Sequence, residues 1–231
     1  MSSMTSAEPT NRADDVADHD PADHVRAAPS GGEVERSRYP RGEGDRLRID
    51  LLDAAADLMA EKGDIDAVSL RAIAGRVGVS PTAVYRHFDD HVSLLRAAVE
   101  NCWAEFEAAL ERAADESDDP YDRLRRSGQA YVRFAMEQPG KYHVLFSNKI
   151  DVGREHTSVG ESAFDHLVDK VAAILEANDD PRDARFVAVQ VHTWIHGMVD
   201  LCGRHTDFDW PPTDLMLDEL ALRLGLTPRP A

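Results

Sequence analysis

Residues 69–88 read SLRAIAGRVGVSPTAVYRHF. Leu70, Ile73, Ala74 and Val77 recur at helical spacing and give a short helix one apolar face. Gly78 breaks that pattern where a residue able to take a positive φ can turn the chain. Ser80 and Pro81 open a second helix: a capping hydroxyl, then a residue whose missing N–H is not needed in the first turn. Val84 and Phe88, four apart, pack back onto the first helix. Thr82, Ala83, Tyr85, Arg86 and His87 are left to face outward. A short helix with a small-residue start and aromatic and basic side chains can enter a major groove and touch base edges. An ordinary αα-hairpin is the competing reading.

The flanks extend this unit. Arg46–Lys62 is amphipathic, with Leu47, Leu51, Leu52, Ala55, Leu58 and Met59 as its buried stripe and Gly63 as its stop. Ser69 can cap the helix that follows the short connection from Asp66. The result is a three-helix unit too small to stand without a larger body to dock against.

LLDAAADLMAEKG followed by VSLRAIAGRVGVSPTAVYRHFDDHVSLL makes residues 46 to about 95 similar to the DNA-binding domain of the TetR family of transcriptional regulators. The glycine after the first helix, the leucine-alanine-isoleucine-alanine frame, the valine-glycine-valine turn and the tyrosine-x-histidine-phenylalanine ending carry the match. With the outward face, the resemblance makes Ser80, Pro81, Thr82, Ala83, Tyr85, Arg86 and His87 candidate DNA contacts. Arg46, Arg48, Ser69 and Arg71 join them from the two preceding helices. One position departs. The family usually places a phosphate-contacting lysine three residues after the phenylalanine, and this chain has His91 there. That contact is weakened or made dependent on pH.

Composition frames the reading. The chain has 231 residues, a size for one or two domains. Lysine plus arginine total 26 against 43 aspartate plus glutamate, a formal net charge of −17. The recognition segment itself carries Arg86 and His87 and no carboxylate. DNA contact must therefore rest on a few local groups and N–H donors, not on a broad basic field. The acidic bulk repels nonspecific DNA, or serves solubility or reflects compositional bias. Residues 1–44, rich in Ala, Asp, Ser, Pro and Gly, read as a disordered tail. Arg36, Arg38 and Arg41, with Arg46 and Arg48, form either a solvated tail end or a basic arm for phosphates. Cys102 and Cys202 offer no disulfide framework and read as small buried side chains. No apolar run reaches the roughly 18 residues that span a bilayer, and the N-terminus lacks an apolar signal core. A cytoplasmic protein is expected.

The rest of the chain reads as all-α. His91 to about Asp115 carries Val92, Leu95, Val99, Trp103, Phe106 and Leu110 on an apolar stripe. Tyr121–Glu137 follows, then a turn at Gln138-Pro139-Gly140 and a short helix Lys141–Asn148. After a loop at 150–157, helices run from Ser158 or Ser162 to about Ala177, from Arg182 to about Cys202, and from Asp214 to Leu224. No segment alternates like a strand. The expected organisation is a tail at 1–44, a helix-turn-helix domain at 45–92 and a helical regulatory domain at 93–226.

QPGKYHVLF and TWIHGMVDL, in which Ile195 separates Trp194 from His196-Gly197, resemble a subset of TetR-family regulatory domains with a Trp-His-Gly signature. The resemblance implies an all-helical domain that dimerises through its last two helices. The residues agree, because Phe186–Cys202 is apolar on more than one face and needs cover on both. Gly197 permits close approach of two backbones, and Leu215, Leu217, Leu220, Leu222 and Leu224 extend the apolar surface. A four-helix bundle from two chains follows; a central helix buried in a monomer is the alternative.

His192 and His196 are four apart, as are His87 and His91, but nothing completes a metal set, and structural histidines are expected. No nucleophile-elbow serine, phosphate-cradling loop or catalytic carboxylate pair is present, so neither an enzyme nor a cofactor is expected. Large aromatics point to a cavity for a small-molecule, partly apolar effector. Trp103, Phe106, Tyr131, Phe134, Tyr142, Phe146, Phe164 and Trp194 are its candidate walls, with Met136 and Met198, and about half should border it. Arg133, Gln190, His192 or His196 could orient a polar group there. The function read from these residues is a homodimeric, ligand-responsive DNA-binding regulator. It would be a repressor released by its effector from a pseudo-palindromic operator. The alternative is a helical small-molecule-binding protein with little sequence-specific affinity for DNA.

Overall fold

A computed structural model of the chain describes residues 44–63, 67–146 and 157–228, and every regular element among them is helical. Four helices, two long and two short, build the N-terminal part. α1 (Gly44–Lys62) buries the expected stripe from Leu47 to Met59. α2 (Leu70–Val77) begins where the Ser69 hydroxyl accepts from the Ala72 N–H at 3.2 Å. It ends at Gly78, whose φ of 77° lies in the left-handed region and turns the chain. α3 (Pro81–Val84) has Ser80 at its cap position, but the Ser80 hydroxyl makes no capping bond. Proline's fixed φ and the burial of Val84 and Phe88 set this turn instead. α4 (His91–Ala114) opens on a capping box in which Asp90 accepts from the Ser93 N–H and the Ser93 hydroxyl returns to the Asp90 backbone.

The remaining helices are α5 (Pro120–Glu137), α6 (Pro139–Phe146), α7 (Thr157–Ala177), α8 (Ala184–Arg204) and α9 (Thr213–Arg223). Asp119 caps α5 and Asp183 caps α8, each accepting from a backbone N–H in the first turn. Two local expectations are corrected. Gln138-Pro139-Gly140 is not a separate turn, because Pro139 is the first residue of α6 and Gly140 lies inside it. Proline at that position continues into a helix as readily as it ends one. Val92 is exposed, and Leu94, Ala98 and Cys102 take the inner stripe of α4 beside Leu95 and Val99. The capping box starts the helix at His91 and so rotates Val92 to solvent. Of the loop expected at 150–157, Thr157 instead begins α7 and the rest lies outside the described residues, as do the basic residues Arg36, Arg38 and Arg41 and the tail to residue 43.

One apolar core runs from Leu51, Met59 and Ile73 in the N-terminal helices through Leu94 and Phe106 of α4 to Phe134, Val144 and Met198. α1 packs against both α4 and α6. A second cluster, built on Val171, Ile174, Val187 and Leu220, holds α7, α8 and α9 together. At Gly140 an added Cβ would stand 3.2 Å from the Ala60 Cβ, so glycine sets how closely α6 approaches α1. Among the described residues no helix is long and apolar enough to cross a membrane.

Candidate functional site: a reading head joined to a cavity

The head presents one outward face. Tyr85 is 57 % exposed, and Pro81, Thr82 and Arg86 are exposed beside it. Ala83 and His87 are half-buried, while Val84 and Phe88 anchor the segment from behind. After α3 the chain keeps turning, with His87 and Phe88 donating N–H bonds to the Val84 carbonyl. Ser69, Arg71 and Ser80 are exposed at or near the two helix starts. Arg46 is exposed on α1, whereas the Arg48 guanidinium lies over the Phe88 ring, 5.2 Å from its centroid. That stacking holds α1 against the end of the recognition segment. Arg76 forms a two-bond pair with Glu61, both at 2.7 Å, and locks α2 to α1. This pair was not foreseen in the sequence. It leaves Arg86, which has no ion-pair partner among the described residues, as the free guanidinium of the outward face. His91 is half-buried, and its Nε2 is enclosed with no hydrogen-bond partner among the described residues.

A cavity of about 420 Å³ lies among α4, α5, α7, α8 and α9. Trp103, Phe106, Tyr131, Phe146, Phe164 and His192 border it, as do Leu110, Leu167, Val191 and Ile195. The other expected wall residues stand elsewhere. Phe134 is core, 5.2 Å from Phe106 centroid to centroid in an edge contact. Trp194 is half-buried between the two apolar clusters. Tyr142 and His196 sit one layer behind the wall, where the Tyr142 hydroxyl and His196 Nδ1 share a 2.6 Å bond. The Tyr131 hydroxyl reaches both, at 3.0 and 3.2 Å. Burial pushes the Tyr142 phenol up to about 12 and Tyr131 higher still, so both stay protonated near neutrality. Of the residues expected to orient a polar group, His192 borders the cavity and Arg133 and Gln190 are exposed. Met136 is also exposed, and Met198 is core. Four helical residues apart, His192 and His196 stack with ring centroids 5.9 Å apart. Among the described residues no group of three or more metal-ligating side chains forms.

Helix α6 connects the two regions. Phe146 at its C-terminal end closes the cavity, and Lys141 near its start donates to Asp53 of α1 at 2.9 Å and to Glu105 of α4 at 2.6 Å. Burial works against the Lys141 charge, but its bonds to Glu105 and Asp53 outweigh that and raise its pKa. Periodicity carries no signal for this clamp, because its partners come from three helices. Lys141→Met removes two charge-assisted bonds and leaves two carboxylates facing each other. Asp53 and Glu105 are partly open to water, which discounts the loss to about 1–2 kcal/mol. A fall in Tm of about 2–8 °C is expected in a thermal melt. An unchanged Tm would show that the clamp carries nothing.

The outer face of α8 carries large apolar side chains that the described residues leave uncovered. Phe186 is 64 % exposed, and Val189 and Leu201 are each about half exposed on the same side. Leu215 and Leu222 of α9 are each 62 % exposed. Leu217 and Leu220, expected on the same surface, instead face the chain's own core. A Cβ added at Gly197 would meet nothing within 4 Å.

Comparisons with known proteins agree with this geometry. Residues 51–98 match the family model described as bacterial regulatory proteins, tetR family. Residues 124–224 match the tetracyclin repressor-like C-terminal domain. Nucleoid occlusion factor SlmA of Vibrio cholerae is 24% identical over 173 residues, covering 72% of this chain and 88% of SlmA. The HTH-type transcriptional activator FasR of Mycolicibacterium smegmatis is 29% identical over 120 residues, 52% of this chain and 53% of FasR. The crystal structure of a TetR family transcription regulator from Marinobacter aquaeolei superposes with a TM-score of 0.64 at 20% identity. It covers 80% of this chain and 95% of that one, and shows the shared fold.

Proposed function

The chain belongs to the TetR family of bacterial regulatory proteins, and from that premise we propose that it is a homodimeric repressor released from a pseudo-palindromic operator by a small molecule. It acts in the cytoplasm as a regulator and not as a catalyst. Its reading head is residues 45–92, with Tyr85, Arg86 and Thr82 at the bases. Ser69, Arg71, Ser80 and Arg46 serve the phosphates. Its effector site is the cavity in the body at 93–226, and its dimer surface is the outer face of α8 with Leu215 and Leu222.

The observation that carries the reading is α6. One of its ends forms cavity wall at Phe146, and the other is clamped to α1 and α4 through Lys141. A ligand can change the spacing of the two heads only by favouring one of two arrangements of such an element. α6 is placed to differ between them, since a side chain displaced at Phe146 shifts the helix that α1 rests on.

Selection of binding sites from random DNA tests the reading. An inverted repeat with half-sites about one helical turn apart is expected. A reporter gene placed behind that site should be silenced by the protein. Activation of the reporter would overturn repression but keep the operator. Recovery of no preferred sequence would favour a helical ligand-binding protein, as the charge of −17 would suggest. Within this reading, His91→Lys supplies a full charge at the start of α4. Operator binding should tighten about threefold to tenfold, and the salt slope should steepen by about one per protomer. An unchanged slope would place His91 away from the phosphates.

A further inference from the structure

The charges around the cavity are spoken for. Lys170, only 8 % exposed, donates to Glu111 at 2.5 Å and to the His166 carbonyl at 3.2 Å. Arg125 pairs with Asp218 at 3.1 Å, and Asp122 with Arg126 at 2.7 Å. The Asp119 carboxylate is taken by the first turn of α5, accepting from the Asp122 N–H at 2.9 Å. The phenols are occupied as well: Tyr121 donates to Asn178, and Tyr131 bonds within the Tyr142–His196 group. His192 differs. Among the described residues its neighbours are rings, namely Tyr131, Phe146, Phe164 and His196. Burial first, and His196 second, lower its pKa, so it lines the cavity as a neutral imidazole with a donor and an acceptor.

We propose that the cavity accepts an uncharged, mainly apolar molecule whose one hydrogen-bonding group meets His192. The proposal rests on reading the cavity as the effector site and adds the chemical class of its occupant. A carboxylate or an ammonium entering here would lose its hydration and find every opposite charge already engaged. Admitting it would mean opening the Glu111–Lys170 pair, whose lysine side chain is only 7 % exposed, or the more exposed Arg125–Asp218 pair at the cavity border. A neutral molecule needs no such exchange, and an apolar body gains from the aromatic and aliphatic walls.

The test uses the full chain and the uncharged dye Nile red, displaced in turn by 1-decanol, decanoate and decylammonium. Decanol should displace the dye at concentrations about tenfold or more below either ion. Glu111→Gln frees the Lys170 ammonium and should improve decanoate about tenfold while leaving decanol nearly unchanged. Lys170→Met frees the Glu111 carboxylate and should do the same for decylammonium. His192→Phe should erase the preference for decanol over 1-chlorodecane. The proposal is overturned if either ion matches decanol on the unaltered protein, or if neither pair variant shifts the selectivity. Dye binding that survives Ala163→Phe, which fills the cavity, would overturn it too. Release of operator DNA is read separately. Selective decanol binding that leaves the DNA complex intact would uphold this ligand class and remove the effector reading.

Discussion

Gly197→Leu is expected to turn the dimer into monomer at micromolar concentration and to weaken operator binding about a hundredfold or more, since one head keeps only one half-site. Within the protomer this substitution is harmless. An added Cβ meets nothing within 4 Å, and leucine replaces glycine in the middle of α8. Helix propensity should then stabilise the isolated chain by about 0.5–1 kcal/mol. Across a dimer interface the same side chain is inserted twice, on the face where Phe186, Val189 and Leu201 await cover. Packed interfaces tolerate inserted volume poorly, at about 1–3 kcal/mol for each insertion. Monomer stability and dimer affinity therefore move in opposite directions, a signature that simple misfolding cannot produce. Analytical ultracentrifugation with a thermal melt reads both. A variant that stays dimeric and binds its operator normally would place the dimer surface elsewhere.

Arg86→Ala is expected to cost about 1–3 kcal/mol of operator affinity per half-site, and so to act twice in the dimer. Arg86 is exposed, with no ion-pair partner among the described residues, on the face that Val84 and Phe88 hold in place. If it reads a guanine, the loss comes with relaxed preference at one base position in each half-site. If it touches only phosphate, all sequences weaken alike and the salt slope falls by about one per protomer. Arg76→Ala is the control on the same helical pair. Its guanidinium is held by Glu61 on the exposed surface, so base preference should not change. Binding by Arg86→Ala that equals the unaltered protein in both strength and preference would take Arg86 out of the reading set.

The helix-turn-helix was legible because its signals are local. Gly78 must take the left-handed turn, Ser69 caps the helix it precedes, and Val84 and Phe88 share a face at helical spacing. Each needs only its own few neighbours in the chain. The stripe of α1 was legible for the same reason, since a 3.6-residue period marks the side that must leave water. The double-faced character of α8 was also in the sequence: apolar residues recur on both sides of it, and Phe186, Val189 and Leu201 stand exposed on the outer one.

Long-range partners were not legible. Residues 215–224 offered five leucines for an interface, but packing against α5 turned Leu217 and Leu220 inward, Leu224 just past α9 packs against the second cluster, and Leu215 and Leu222 stay outside. Aromatic content announced a cavity without saying which rings would reach it. Phe146 reaches it from α6, while Tyr142, one turn earlier on the same helix, bonds to His196 behind the wall. The sequence carried no sign of the partners of Lys141 and Lys170, because three helices meet around the first and Glu111 of α4 closes on the second. Periodicity can say that a side chain is buried, since burial follows from one helix and the water around it. What that side chain touches depends on how separate helices cross, and those crossings come from contacts far apart in the chain.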